Sequence, residues 1–391
     1  MRMFEKPLGM RDTLPSLYTS KRDVRDDMVK EIERWGYDML ATPTLEFYET
    51  VGVQSAILES QLFKLLDQQG QTLVLRPDMT APIARVAASQ LYKKMGPLRL
   101  AYGANVFRAQ HHEGGRPAEF EQVGIELIGD GTTSADAEVI AIMVSTLQSV
   151  GLTHFKISIG HMQFIQALFE EILGNKERST ELMQFLYEKN VVGYREHVKS
   201  LPLSQIDKDR LLRVLTLRGG IEKAEEAMEI VDSEKGKRAL VELQNLWKQL
   251  EAFQVESFVK LELNTVQHMS YYTGILFEVY AANVGSPVGN GGRYDELLRK
   301  FDCSAPATGF AIRLDRLLLA LGKMGTTVRK YGIIFSEEQR MEAFEEAKKL
   351  RQDGKIVVLQ NITGVPNVDQ FVQEFEEVMY FLGKPRKERE K

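Results

Sequence analysis

The chain carries a single cysteine, Cys303, in 391 residues. One thiol excludes a disulfide framework and any multi-cysteine metal site within the chain, and it fits a reducing interior. Long hydrophobic runs are missing too. The start, MRMFEKPLGMRD, holds no apolar stretch of signal-peptide length, and no later segment approaches the ~18 consecutive apolar residues expected of a membrane span. A cytoplasmic protein is expected. No sign of charge dominates: 50 Lys and Arg face 55 Asp and Glu, a net charge of -5. That balance argues against a large nucleic-acid surface. Walker-type loops, a strand-linked GxGxxG and a nucleophile elbow are all absent.

What is present is a globular composition, with 43% apolar and 27% charged residues, in a chain long enough for two or three units. Ser20 is placed to cap a helix whose stripe is Val24, Met28, Ile32 and Trp35, with Gly36 as its stop. ATPTLEFYE reads as extended, because Pro43 biases Thr42 away from helix. TLVLRP (72–77) reads as a strand, and Thr80 with Pro82 starts a helix. Another helix begins near Ser134, with Asp136 and Glu138 in its first turn, and ends at Gly151. HFKISIG (154–160), FVKLELN (258–264) and GILFEVYAANV (274–284) alternate like strands, while about 161–254 is largely helical, broken at Gly174 and Gly219-Gly220. The helical block therefore reads as an insertion between two parts of one sheet domain, spanning 1–325. Residues 326–391 read strand, helix, strand, helix, strand, a shortened α/β unit.

Four stretches could carry chemistry. In FRAQHHEGGRPAEFEQVGIELIG (107–129) the return segment, read as a strand, points Val123, Ile125 and Leu127 one way and Gln122, Gly124 and Glu126 the other. An acid and an amide then flank a glycine gap on one face. Arg108 and Arg116, near the tip, suit a carboxylate or phosphate. His111-His112-Glu113 reads as an exposed loop rather than a metal site, since nothing supplies further ligands. In LRPDMTAP, Asp78 and Thr80 stand where a strand gives way to a helix, as simple caps or as an ammonium-binding corner. In VQHMSYYTGILFEVY (266–280), Tyr271 and Tyr272 precede a strand, so that one ring can pack while the other turns its hydroxyl to a ligand. In GNGGRYDELL (289–298) and ATGFAIRLDRLL (307–318), Gly291 and Gly292 allow close backbone approach, and Arg316 begins a helix.

Taken in order, PLGMRDTLP (7–15), TPTLE (42–46), LRPDMT (75–80), FRAQ with GGRPAEFEQVGIE (107–126), SYYTGILFE (270–278), GGRYD (291–295) and GFAIRLDR (309–316) resemble the histidyl-tRNA synthetase family, over residues 1 to about 320. The resemblance implies an α+β fold, the class II synthetase antiparallel sheet flanked by helices, and homodimerisation through the region around Pro43. It also implies a histidine pocket. Carried over by position, Asp78, Thr80 and Gln122 would hold the α-amino group, Glu126 and Tyr272, with Tyr271 beside it, the imidazole side, and Arg108 the neighbourhood of the carboxylate. Gly124 would lie beneath the bound histidine.

The departures from that pattern fall on the nucleotide side. QHMSYY puts Gln267 where the family has an arginine that stabilises charge on the α-phosphate of ATP, and losing one preorganised donor typically costs about 2.7 to 4 kcal/mol of barrier. Gln110 replaces the FRxE acid, Ala118 an arginine, Asp78 a glutamate, and Arg313 a glycine of the third signature. The tail is shorter than an anticodon-binding domain, and KPRKEREK mixes both signs, as a solvated end does. The whole pattern is similar to the family of ATP phosphoribosyltransferase regulatory subunits. That resemblance implies no catalysis, no cofactor and no metal. Its partners would be the short-form catalytic subunit in a hetero-oligomer, a hetero-octamer in the family, with L-histidine as feedback effector and no nucleic acid or membrane. The competing readings are a divergent histidyl-tRNA synthetase or histidine-adenylating ligase, and an RNA-binding regulator, for which no basic or aromatic platform is visible.

Overall fold

The computed structural model describes residues 4–92, 96–110, 117–267, 272–323, 325 and 328–383. Tyr271, Arg116, the His111-His112-Glu113 run and the KPRKEREK tail lie outside the described residues. The chain divides into two compact units, Met1–Met324 and Gly325–Lys391.

The first unit is built on a nine-stranded sheet. In chain order its strands are β1 (Asp38–Met39), β2 (Leu98–Phe107), β3 (Glu119–Ile128), β4 (Phe155–His161), β5 (Arg218–Gly219), β6 (Val259–Glu262), β7 (Ile275–Ala281), β8 (Gly289–Arg293) and β9 (Ala307–Arg313). Their spatial order is β1-β2-β3-β9-β8-β7-β4-β6-β5. The six central strands, from β2 to β4, are antiparallel throughout. Parallel pairs occur only toward the margins, β1 with β2 and β4 with β6.

Alternation along β3 separates two packing layers. Val123, Ile125 and Leu127 face a core that includes Val24, Met28 and Ile32 of the helix Pro15–Arg34 and most of the helix Thr133–Ser149. Fully burying such a side chain is worth about 1.5–3 kcal/mol. The other face packs Tyr102, Phe120 and Val106 on Met79, on Ile83 and Ala84 of the helix Thr80–Val86, and on Leu297 and Leu298. A buried arginine ties the layers together: Arg293, at the end of β8, lies 3.0 Å from Asp136 and donates to the carbonyls of Asp130 and Thr132.

The helix expected to start at Ser20 starts at Pro15 instead. Proline suits the first helical position because its missing N–H would be unpaired there anyway, and Ser20, buried inside the helix, donates to the carbonyl of Ser16. Gly36, at φ +78°, provides the stop. Asp136 sits in the first turn of its helix, with Arg293 as its main partner, whereas Glu138, expected there too, lies beyond that turn and accepts from Arg99 and Tyr37.

Between β4 and β6 run six helices, Met162–Leu173, Lys176–Tyr187, Val191–Ser200, Gln205–Arg213, Glu222–Met228 and Glu234–Ala252. Four begin at Asn175, Asn190, Ser204 and Ser233, whose side chains accept backbone N–H groups of the first turn, the usual reason these residues start helices. Gly174 ends the first at φ +57°. A small antiparallel sheet, Leu45–Phe47 beside Thr72–Leu75 beside Lys64–Leu66, stands apart from the large one.

The second unit is a parallel three-stranded sheet, with Tyr331–Phe335 between Val357–Asn361 and Glu377–Phe381. Ala343, Ala347 and Leu350 of the helix Arg340–Gln352 pack on Ile333 and Phe335. Among the described residues, no helix is long and apolar enough to cross a membrane.

Candidate ligand pocket

On the face of the sheet opposite the long helices lies a cavity of about 400 Å³. Strand register brings its walls together. Gln122 stands opposite Arg313, Gly124 opposite both Tyr102 and Ala311, and Glu126 opposite Gly309. Farther along, Asn290 pairs with Ala311 on one side and Glu278 on the other. Residues more than two hundred positions apart in the chain thus share one surface.

The floor is shaped by missing side chains. A Cβ at Gly309 would lie 2.1 Å from a carboxylate oxygen of Glu126, so only glycine leaves room for that acid. The gap at Gly124 does not lie open to a ligand. A Cβ there would lie 2.5 Å from the Tyr102 hydroxyl, so the tyrosine already occupies the space. Gly291 and Gly292 likewise admit protein rings, those of Phe277 and Tyr272, rather than a ligand backbone.

Glu126 is the centre of the acidic end. It is 1% exposed, and the hydroxyls of Tyr294 and Thr80 donate to it. Burial pushes its carboxyl up to about 8, a rise the two hydroxyls partly oppose and the nearby Asp78 charge adds to. Burial thus favours the protonated form of this carboxyl near neutral pH. Asp78 accepts from the Ala81 N–H at 3.1 Å and from the Ser55 hydroxyl. It therefore caps the helix and also lines the cavity, so the two readings of this residue are compatible. Tyr272 accepts from the Asn290 amide at 3.3 Å, and burial raises its phenol above the ordinary value.

The opposite end is cationic. Arg108 donates to the carbonyl of Pro77 at 2.9 Å, and burial pulls its guanidinium down to about 10 despite the nearby Asp78 charge. Arg313 forks onto Asp315 at 3.2 and 2.9 Å. Arg316 donates to the carbonyl of Pro287 at 2.6 Å. Gln267 donates to Glu278 at 3.1 Å, and Lys189 reaches the same carboxylate at 3.1 Å from the helical insertion.

Of the residues singled out from sequence, Asp78, Thr80, Arg108, Gln122, Glu126 and Tyr272 all line this one cavity. Tyr102, Tyr294, Asn290, Glu278 and Lys189 line it too and were not singled out. Tyr294 stood in the GGRYD signature, which offered a signal. Lys189 offered none, because it belongs to the insertion. Among the described residues no group of His, Cys, Asp and Glu is arranged to hold a metal ion.

Residues 9–317 match the family model described as histidyl-tRNA synthetase, and residues 332–383 match that of the C-terminal domain of histidyl-tRNA synthetase HisZ. The ATP phosphoribosyltransferase regulatory subunit of Bacillus licheniformis is 62% identical, over 100% of both chains. A solved structure from Bacillus halodurans, described as an ATP phosphoribosyltransferase regulatory subunit/histidyl-tRNA synthetase, is 55% identical with a TM-score of 0.92, covering 98% of this chain and 99% of that one. The histidyl-tRNA synthetase of Nostoc, at 20% identity and a TM-score of 0.79 over 95% of this chain and 88% of its own, shares the fold. With both units of the chain matched and the likeness running from end to end, the chain belongs to the family of ATP phosphoribosyltransferase regulatory subunits.

Proposed function

We propose that this protein assembles with the short catalytic subunit of ATP phosphoribosyltransferase, raises its activity, and carries histidine feedback through the cavity between Glu126 and Arg108. It performs no chemistry of its own. The observation that carries the reading is the convergence of Asp78, Thr80, Gln122, Glu126 and Tyr272 on one cavity of about 400 Å³. An α-ammonium and a ring N–H are donors; the carboxylates, amide oxygen and hydroxyls of this wall accept from them. Arg108, at the cationic end, supplies a planar fork for the carboxylate. Gln267 offers a neutral amide, committed to Glu278, where transfer to a phosphate would call for a fixed positive charge.

A second copy of the chain is the partner proposed for the small sheet. Val74 and Glu46 of that sheet are buried, while on its other face Leu45, Phe47 and Leu65 are 45%, 49% and 44% exposed. An apolar face of this kind suits a two-fold, self-complementary contact.

Feedback requires that histidine bind the inhibited arrangement of the complex better than the active one, typically by about 1–3 kcal/mol of coupling. The test is to mix the purified protein with the short catalytic subunit of the same organism and follow phosphoribosyl-ATP with and without histidine. Activity that depends on this protein and falls with histidine is the expected result. A catalytic subunit that gains nothing from the mixture overturns the partner assignment.

A further inference from the structure

We infer that Arg313 closes the aromatic slot of the cavity, so that the pocket accepts an amino acid but no planar base beside it. The inference rests on the amino-acid reading of the same cavity and adds what that cavity refuses. Phe120 lies on the face of β3 that also carries Gln122 and Glu126. Its ring lines the cationic end of the cavity, yet it is only 4% exposed. The apolar cluster of Met79, Ile83, Tyr102 and Val106 covers part of the ring, and Arg313 covers another part. This arginine is the last residue of β9 and stands opposite Gln122, which makes it the diagonal cross-strand neighbour of Phe120, within reach for a long side chain.

Its guanidinium carbon sits 3.6 Å from the centre of the Phe120 ring, the separation of two stacked planes. The bidentate contact with Asp315 holds that plane in place, so it is fixed by stacking and by a charged fork together. Arg108 approaches the same ring at 5.3 Å. The ring face that a flat heteroaromatic ligand would need is already occupied.

Charge alone would not exclude a nucleotide. Arg108, Arg316 and Lys189 line this end and would attract a polyphosphate. The discrimination therefore falls on the base, through a side chain that must leave both Phe120 and Asp315 before a purine can stack.

The test uses adenosine, whose neutrality separates stacking from phosphate attraction, titrated calorimetrically into the full-length protein. Wild type is expected to show no saturable binding. Arg313→Gly should gain adenosine affinity by about tenfold or more, the scale of one base stacked on an aromatic ring, and adding Phe120→Ala should remove the gain. Asp315→Asn leaves Arg313 in place but loosens its fork; it should shift affinity the same way by less, and it serves if Arg313→Gly fails to fold. Histidine is titrated in parallel. Adenosine binding to wild type as tight as to Arg313→Gly overturns the inference. So does an Arg313→Gly protein that binds histidine like wild type and gains nothing for adenosine. A gain for adenosine in a protein that does not bind histidine leaves the slot assignment standing and overturns the amino-acid reading instead.

Discussion

In the proposed histidine pocket, Glu126 is the residue whose charge a ligand would change. Its carboxyl, raised by burial to about 8, favours the protonated form near neutral pH and would ionise to receive a cation. Histidine binding near neutral pH should therefore release a proton, seen as a binding enthalpy that varies with the ionisation heat of the buffer. Glu126→Gln should abolish that release and weaken histidine binding by about tenfold or more, since a hydrogen bond to a charged group is worth roughly 1.5–3 kcal/mol. The same group sets a pH trend for the ligand-free protein. The folded state keeps this proton up to about 8, whereas the unfolded chain loses it in the ordinary carboxylate range. Stability should therefore fall as pH rises through that window. Urea midpoints for wild type, compared with a flatter profile for Glu126→Gln, measure the contribution.

At the scale of elements, the small three-stranded sheet is the proposed contact with a second copy. Its buried face, with Val74 at 0% exposure, belongs to the folded unit, while Leu45, Phe47 and Leu65 face outward. Phe47→Asp with Leu65→Lys should turn the proposed dimer into a monomer by sedimentation, with little loss of thermal stability, because neither side chain supports the interior. A dimer unchanged by both substitutions places the two-fold contact elsewhere. The helical insertion has a second role besides packing its own core: through Lys189 it supplies part of the pocket wall, tied to Glu278 at 3.1 Å.

For the whole molecule, coupling must run both ways. If histidine favours the inhibited arrangement, substrates that favour the active one must weaken histidine binding by the same factor, about 5- to 150-fold for the usual 1–3 kcal/mol. Titrating histidine into the assembled complex at increasing phosphoribosyl donor concentration checks this, and an unchanged histidine affinity rejects the mechanism. Much of the architecture could be read from the sequence, because it is local. The alternation of Val123, Ile125 and Leu127 marked a strand with two distinct faces, and the stripe Val24, Met28 and Ile32 marked a helix against it. The shift from period 2 to period 3.6 after His161 located the insertion. The start of the first helix was misplaced from Pro15 to Ser20, because a hydroxyl inside a helix and one that caps it look alike in a sequence. Asp78, Thr80, Gln122 and Glu126 could be named because they stand in ordered signatures. Which rings fill the spaces left by Gly124, Gly291 and Gly292, and which hydroxyl meets Glu126, depended on register between strands distant in the chain. The sequence by itself therefore determined the elements, the family pattern and the chemical character of the pocket, since propensity and motif spacing are local properties. Only the tertiary structure decided that Tyr102 covers Gly124, that Tyr294 serves Glu126 and that Arg313 lies on Phe120, because those contacts exist only once β2, β3, β8 and β9 are paired.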